Sequence, residues 1–142
     1  MSADAQPNPA GASPVLLVVS GATVSRPAIA RTARLAASAA VIVVGLAGEP
    51  TEEIEEARRA VALAMTALGN TGVMAHAHIA ASGSPARAIA RVARARGARV
   101  VVLDQQVGLA AELRRRMYGS GITVVSVPAP TGRRPGPRDL AR

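Results

Sequence analysis

Residues Gly83 to Leu103 read GSPARAIARVARARGARVVVL, and the hydrophobic period changes partway along. Ser84 followed by Pro85 has the chemistry of a helix start, a capping hydroxyl and then a ring already fixed at a helical φ. Ala86, Ile89 and Ala93 fall on one helical face, and Arg87, Arg91 and Arg94 fall on the other. Val100 to Leu103 is then apolar on successive residues and stops at Asp104. Such a run predicts a strand buried on both faces, as in a sheet with helices on each side.

The pattern repeats outward in both directions. Val15 to Val19, ending at Ser20-Gly21, and Val41 to Val44, ending at Gly45, are further β-branched runs of this kind. Ile122 to Val127 is a fourth. Gly72 to Ala80 differs: Val73, Ala75, Ala77 and Ile79 alternate with Met74, His76 and His78, the period of an edge strand with one wetter face. Helix patterns fill the gaps. One runs from about Ser25 to Ala37 and would bury Ile29, Ala33 and Ala36. Another is capped by Thr51, carries Glu52 and Glu53 at the positive end of its dipole, and stripes Ile54, Ala57, Val61, Met65 and Leu68 before a stop at Gly69. A last one spaces Leu109, Leu113 and Met117 by four and ends at Gly119. Strands joined by helices run parallel with right-handed crossovers. The expected fold is therefore an α/β, open, doubly wound parallel sheet of five strands, Rossmann-like, over residues 15–127. Segments 1–14 and 128–142, rich in Pro, Ala, Gly and Arg, are expected to be flexible.

Composition narrows the function classes. The chain has 142 residues, which fits one domain, and no cysteine, so disulfides, thiolate metal sites and cysteine nucleophiles are excluded. No secretory signal is visible, and the most apolar stretch, residues 36–47, is shorter than the roughly 20 residues that span a bilayer. A soluble cytoplasmic protein without membrane contact is expected. The net charge is +8, every basic residue being arginine. Sequence-tolerant nucleic-acid binders add aromatic platforms, and Tyr118 is the single aromatic residue, so the charge reads as a solvated surface rather than a nucleic-acid site. The Arg87, Arg91, Arg94 face is likewise most simply solvated, with a protein docking patch as the alternative. His76 and His78 share a strand face but have no acidic neighbour in sequence to complete a metal set. The absence of lysine excludes a Walker A loop and argues against a phosphorelay receiver.

Four stretches together resemble the universal stress protein family: Val15 to Ala22, Ala40 to Leu46, Gly83 to Leu103 and Gly121 to Val127. The resemblance implies strand order 3-2-1-4-5. The first and fourth strands are then neighbours whose connections leave in opposite directions, and their carboxyl ends form the crevice where open α/β sheets bind ligands.

Nucleotide-binding members of that family carry an acidic residue after the first strand; here that position is Ser20. They also carry a Gly-x-x-Gly stretch after the fourth strand, where glycines let main-chain N–H groups approach phosphate. Here Asp104 stands for the first glycine and Val107 for the second, leaving Gly108-Leu109 before the helix. Leu46 keeps the apolar position that flanks the base. The implied cleft is Ser20, Gly21, Leu46, Asp104, Gln105, Gln106 and Gly108, a degenerate nucleotide site. Arg114, Arg115 and Arg116 could offset the lost cradle, but a run of three on a helix is usually a solvated face.

The expectation is a non-catalytic regulatory or stress-response protein with weak or absent adenine-nucleotide binding and no required cofactor or metal. Two alternatives stay open: an ATP or AMP sensor acting through an altered phosphate loop, and a small enzyme using the Ser20/Asp104 cleft. Family members commonly dimerise through the last strand. The resemblance therefore implies a homodimer through Ile122, Thr123, Val124, Val125, Ser126 and Val127, an uncharged edge that is hazardous if left bare.

Overall fold

A computed structural model describes residues 13–21, 23–47, 51–81, 83–105 and 107–128. Five strands alternate with four helices: β1 (Val15–Ser20), α1 (Arg26–Ala36), β2 (Val41–Ala47), α2 (Thr51–Gly69), β3 (Ala75–Ala81), α3 (Pro85–Arg96), β4 (Val100–Asp104), α4 (Val107–Arg116) and β5 (Thr123–Val127). Every strand pair is parallel and the order is β3-β2-β1-β4-β5, so β1 and β4 lie side by side at the centre. The N- and C-terminal segments expected to be flexible lie, apart from residues 13, 14 and 128, outside the described residues. No helix among the described residues is long and apolar enough to cross a membrane.

The continuous apolar runs have the cause that their pattern suggests. Leu16, Val18, Ile42, Val44, Val101 and Leu103 turn to one side of the sheet and meet Ile89, Ala93, Leu113 and Met117 of α3 and α4. Val15, Leu17, Val19, Val41, Val43 and Val102 turn to the other and meet Ile29, Val61 and Leu68 of α1 and α2. Alternate side chains of one strand thus fill two separate cores. The edge strand β3 is lopsided, as its alternation predicts. Val73, Ala75 and Ile79 pack on the α1/α2 side, while on the opposite side His76 is exposed and His78 half-buried.

Two local stops fall elsewhere than the sequence suggests. Gly45 does not end β2; the strand continues to Ala47. Its missing Cβ serves packing instead, because a Cβ there would lie 2.7 Å from Val61 Cγ2, 3.0 Å from Ile79 Cδ1 and 3.2 Å from the Ala57 carbonyl oxygen. The close approach of α2 to the sheet depends on that gap. Gly69 is the last helical residue rather than the turning point. The left-handed residue is Gly72 at φ 83°, and Thr71 Oγ1 donates to the Leu68 carbonyl at 2.7 Å. Ser84 does hold the N-cap position of α3, ahead of Pro85, but without a side-chain capping bond.

Gly45→Ala should lower stability by about 1–3 kcal/mol through overpacking against α2. Urea denaturation followed by far-UV circular dichroism measures it, and an unchanged midpoint would show that α2 does not rest on this glycine.

Candidate functional site

The crevice lies where β1 and β4 end together. Val18 pairs with Leu103, and Ser20 pairs with Leu46 on the other side, so Ser20, Leu46 and Asp104 finish on the same rim of the sheet. Ser20 and Leu46 are half-buried there, and Leu46 packs against the α3/α4 core. Gly21 turns the chain with φ 71°. Gln105 is exposed, sits in the left-handed region at φ 63°, and donates its N–H to the Val127 carbonyl at 2.7 Å. A residue other than glycine held there costs roughly 1–2 kcal/mol, so the turn after β4 is enforced by its surroundings. Gln106 lies outside the described residues.

Asp104 is the centre of the arrangement. It is only 3% exposed. Its Oδ2 accepts from the Ser25 backbone N–H at 2.9 Å and its Oδ1 accepts from Ser25 Oγ at 2.7 Å. Ser25 is the N-cap of α1, and its Oγ in turn accepts from the Ala28 N–H at 3.2 Å. A buried carboxylate therefore sits on the first turn of α1, where unpaired N–H groups and the helix dipole favour negative charge. Helix starts at this kind of crevice are ready-made anion sites. The one on α1 is filled by the protein's own side chain.

The fourth-strand loop is shorter than its sequence suggests. Gly108 does not precede α4 but lies within its first turn, since the helix starts at Val107. The left-handed residue Gln105 turns the chain directly after β4. Arg114, Arg115 and Arg116 occupy the last turn of α4. At 1.5 Å per residue, Arg114 stands about 10 Å along the helix from its start, on the side away from the cleft. Nor is the run simply solvated. Arg114 Nη2 donates to the Val124 carbonyl at 3.1 Å, Arg116 pairs with Glu112 at 3.5 Å, and the Arg116 carbonyl accepts from Arg94 Nη2 at 3.1 Å.

Sequence reasoning missed Ser25 as a site residue. The signal was present in part, as a serine two positions before Pro27 at a helix start, but its partner is 79 residues away. Among the described residues no group of three or more His, Cys, Asp or Glu side chains could hold a metal ion.

No family model matches the sequence, and no curated protein matches it. Solved structures do match. A protein of the universal stress protein family from Burkholderia pseudomallei is similar at TM-score 0.67 and 23% identity, covering 83% of this chain and 97% of that one. A universal stress protein from Archaeoglobus fulgidus is similar at TM-score 0.67 and 19% identity, covering 80% and 92%. The Archaeoglobus fulgidus universal stress protein in complex with dAMP matches at TM-score 0.67 and 20% identity, covering 80% and 96%.

Asp104→Ala should cost about 1.5–3 kcal/mol, because it strands the Ser25 N–H and hydroxyl in a buried position. Amide exchange at Ser25 and Ala28 should accelerate along with the loss of stability. A neutral effect in denaturation and exchange would remove Asp104 as the anchor of α1.

Proposed function

We propose that the chain acts as a regulatory or scaffold protein of the universal stress type, without catalysis and with weak or absent ATP binding. Its fold, a five-stranded parallel sheet in the order 3-2-1-4-5 between helical layers, matches that of solved universal stress proteins. The observation that carries this reading is the Asp104 carboxylate on the α1 N-cap. A triphosphate entering the crevice would face that charge, and Asp104 and Val107 stand where the family's loop glycines would let a phosphate approach the main chain. The same pair argues for a structural rather than a chemical Asp104. Both of its described hydrogen bonds go to Ser25, and Ser25 is buried and committed to the helix cap. The absence of cysteine agrees with a cytoplasmic setting.

One observation favours a second reading, a nucleotide sensor. A structural neighbour is described in complex with dAMP, and Leu46 keeps an apolar, half-buried place at the same rim as Ser20. A nucleoside monophosphate needs less phosphate cradle than ATP does. Calorimetry with ATP and Mg²⁺, and separately with dAMP, on protein checked by native mass spectrometry distinguishes the two. No heat of binding with either supports the scaffold reading. Micromolar ATP affinity overturns it, and dAMP binding alone selects the sensor.

Assembly through β5 is part of the proposal. Val125 is half-buried on an uncharged edge strand. Arg114 already occupies the Val124 carbonyl, so side-chain burial would contribute more to this contact than a long hydrogen-bonded ladder. Val125→Lys should convert a dimer into monomers or aggregates by light scattering. A dimer of unchanged mass would place the interface elsewhere.

A further inference from the structure

The sheet has two edges, and they are not equivalent. The hydrogen-bond ladder fixes which main-chain groups face outward. On β5, Thr123 N–H bonds the Arg99 carbonyl and the Val127 carbonyl accepts from Gln105, so the odd residues face β4 while Val124 and Ser126 face out. Arg114 takes the outward carbonyl of Val124, and Pro128, with no N–H, follows directly. On β3, Val41 N–H bonds the Met74 carbonyl at 2.9 Å, so the even residues face β2. Ala75, Ala77, Ile79 and Ala81 then turn their N–H and C=O groups outward. No other strand among the described residues pairs with that edge. It carries no proline and no formal charge within Ala75–Ala81, two of the usual devices that protect an edge.

Beside the carboxyl half of β3 runs a groove of about 280 Å³ lined by His78, Ile79, Ala80 and Ala81 and by Arg87, Ala88, Arg91 and Val92 of α3. Its floor is aliphatic and its rim is basic. Arg87 and Arg91 are exposed, and among the described residues neither makes a hydrogen bond or ion pair. Helix α3 also carries Arg94 and Arg96 and has no acidic residue at all. The groove falls just below the roughly 300–1,000 Å³ of sites that enclose a small molecule. An occupant that also used the open main chain of β3 would gain what the groove alone cannot supply.

We propose that β3 accepts an extended acidic peptide segment of a partner protein as an added strand, with the partner's carboxylates directed to Arg87 and Arg91. The main-chain ladder gives affinity, and the basic rim selects acidic sequences. A second copy of this chain is a poorer occupant, since a chain of net charge +8 would bring another arginine-bearing helix toward the same edge. The site is separate from the Ser20/Asp104 crevice, and its fate does not depend on nucleotide binding.

The test uses the full chain and a fluorescently labelled peptide of alternating valine and glutamate, read by anisotropy. Saturable binding is expected. It should weaken at least about fivefold when both Arg87→Glu and Arg91→Glu are introduced on the exposed helix face. It should be lost with Ala77→Pro, which removes an outward N–H without breaking the β2 ladder. A peptide N-methylated at alternate residues should also fail, and it probes the ladder on unaltered protein. The proposal is overturned by absence of binding, by equal binding of the lysine counterpart, or by undiminished binding of the N-methylated peptide. It is also overturned if Ala77→Pro lowers the mass of the free protein in light scattering, which would make a second copy the occupant.

Discussion

The bond pair between Asp104 and Ser25 joins the end of the fourth strand to the start of the first helix. They belong to the two connections that leave the centre of the sheet in opposite directions, α1 following β1 and α4 following β4. In sheets of this type the divergence leaves a crevice, and the helix starts around it carry uncompensated N–H groups. A ligand's anionic group commonly completes them. Here the completion comes from within the chain. The carboxylate is buried, but its oxygens accept from a main-chain N–H and a hydroxyl, so its charge is held by oriented donors rather than by a counter-ion. The start of α1 is thereby tied to the end of β4, and a buried acidic side chain is fixed beside the crevice.

The arginines illustrate how a single residue type serves different ends. Arg114 and Arg94 are bound to main-chain carbonyls of β5 and α4, stitching together neighbouring elements at the far end of the molecule from the crevice. Arg87 and Arg91 point from α3 toward the other edge and are engaged with nothing described. These four arginines thus do not form a uniform coat. One edge of the sheet is partly closed by a guanidinium, while the opposite edge pairs with no further strand among the described residues and lies beside two others.

Much of the architecture was legible in the residues. Val15–Val19, Val41–Val44 and Val100–Leu103 are apolar on successive positions because each strand feeds two cores, and that pattern alone implies helices on both faces. The alternation across Val73–Ile79 marked β3 as lopsided and marginal in the sheet. The strand order came from resemblance, since no local pattern states which strand neighbours which. What stayed hidden was long-range or negative. Gly45 reads as a stop, yet it is a gap that admits α2, which becomes visible only when Val61 and Ile79 are seen against it. Gly108 reads as loop, but the left-handed turn at Gln105 starts α4 sooner. Asp104 was legible as a residue in the wrong place for phosphate. That it caps α1 through Ser25 depends on a contact across 79 positions of sequence.

The helices meet the sheet largely through methyl groups: Ala28 and Ala36 of α1, Ala57, Ala60 and Ala64 of α2, Ala86, Ala90 and Ala93 of α3, and Ala110 of α4. Alanine has no rotamers to lose on burial and none to exchange afterwards. At these positions helix and sheet meet without side chains that could repack, and the larger contacts are left to Ile29, Val61, Leu68, Ile89, Leu113 and Met117. Any rearrangement of the interior therefore falls to those six side chains, while the methyl contacts between them hold each helix at its spacing from the sheet.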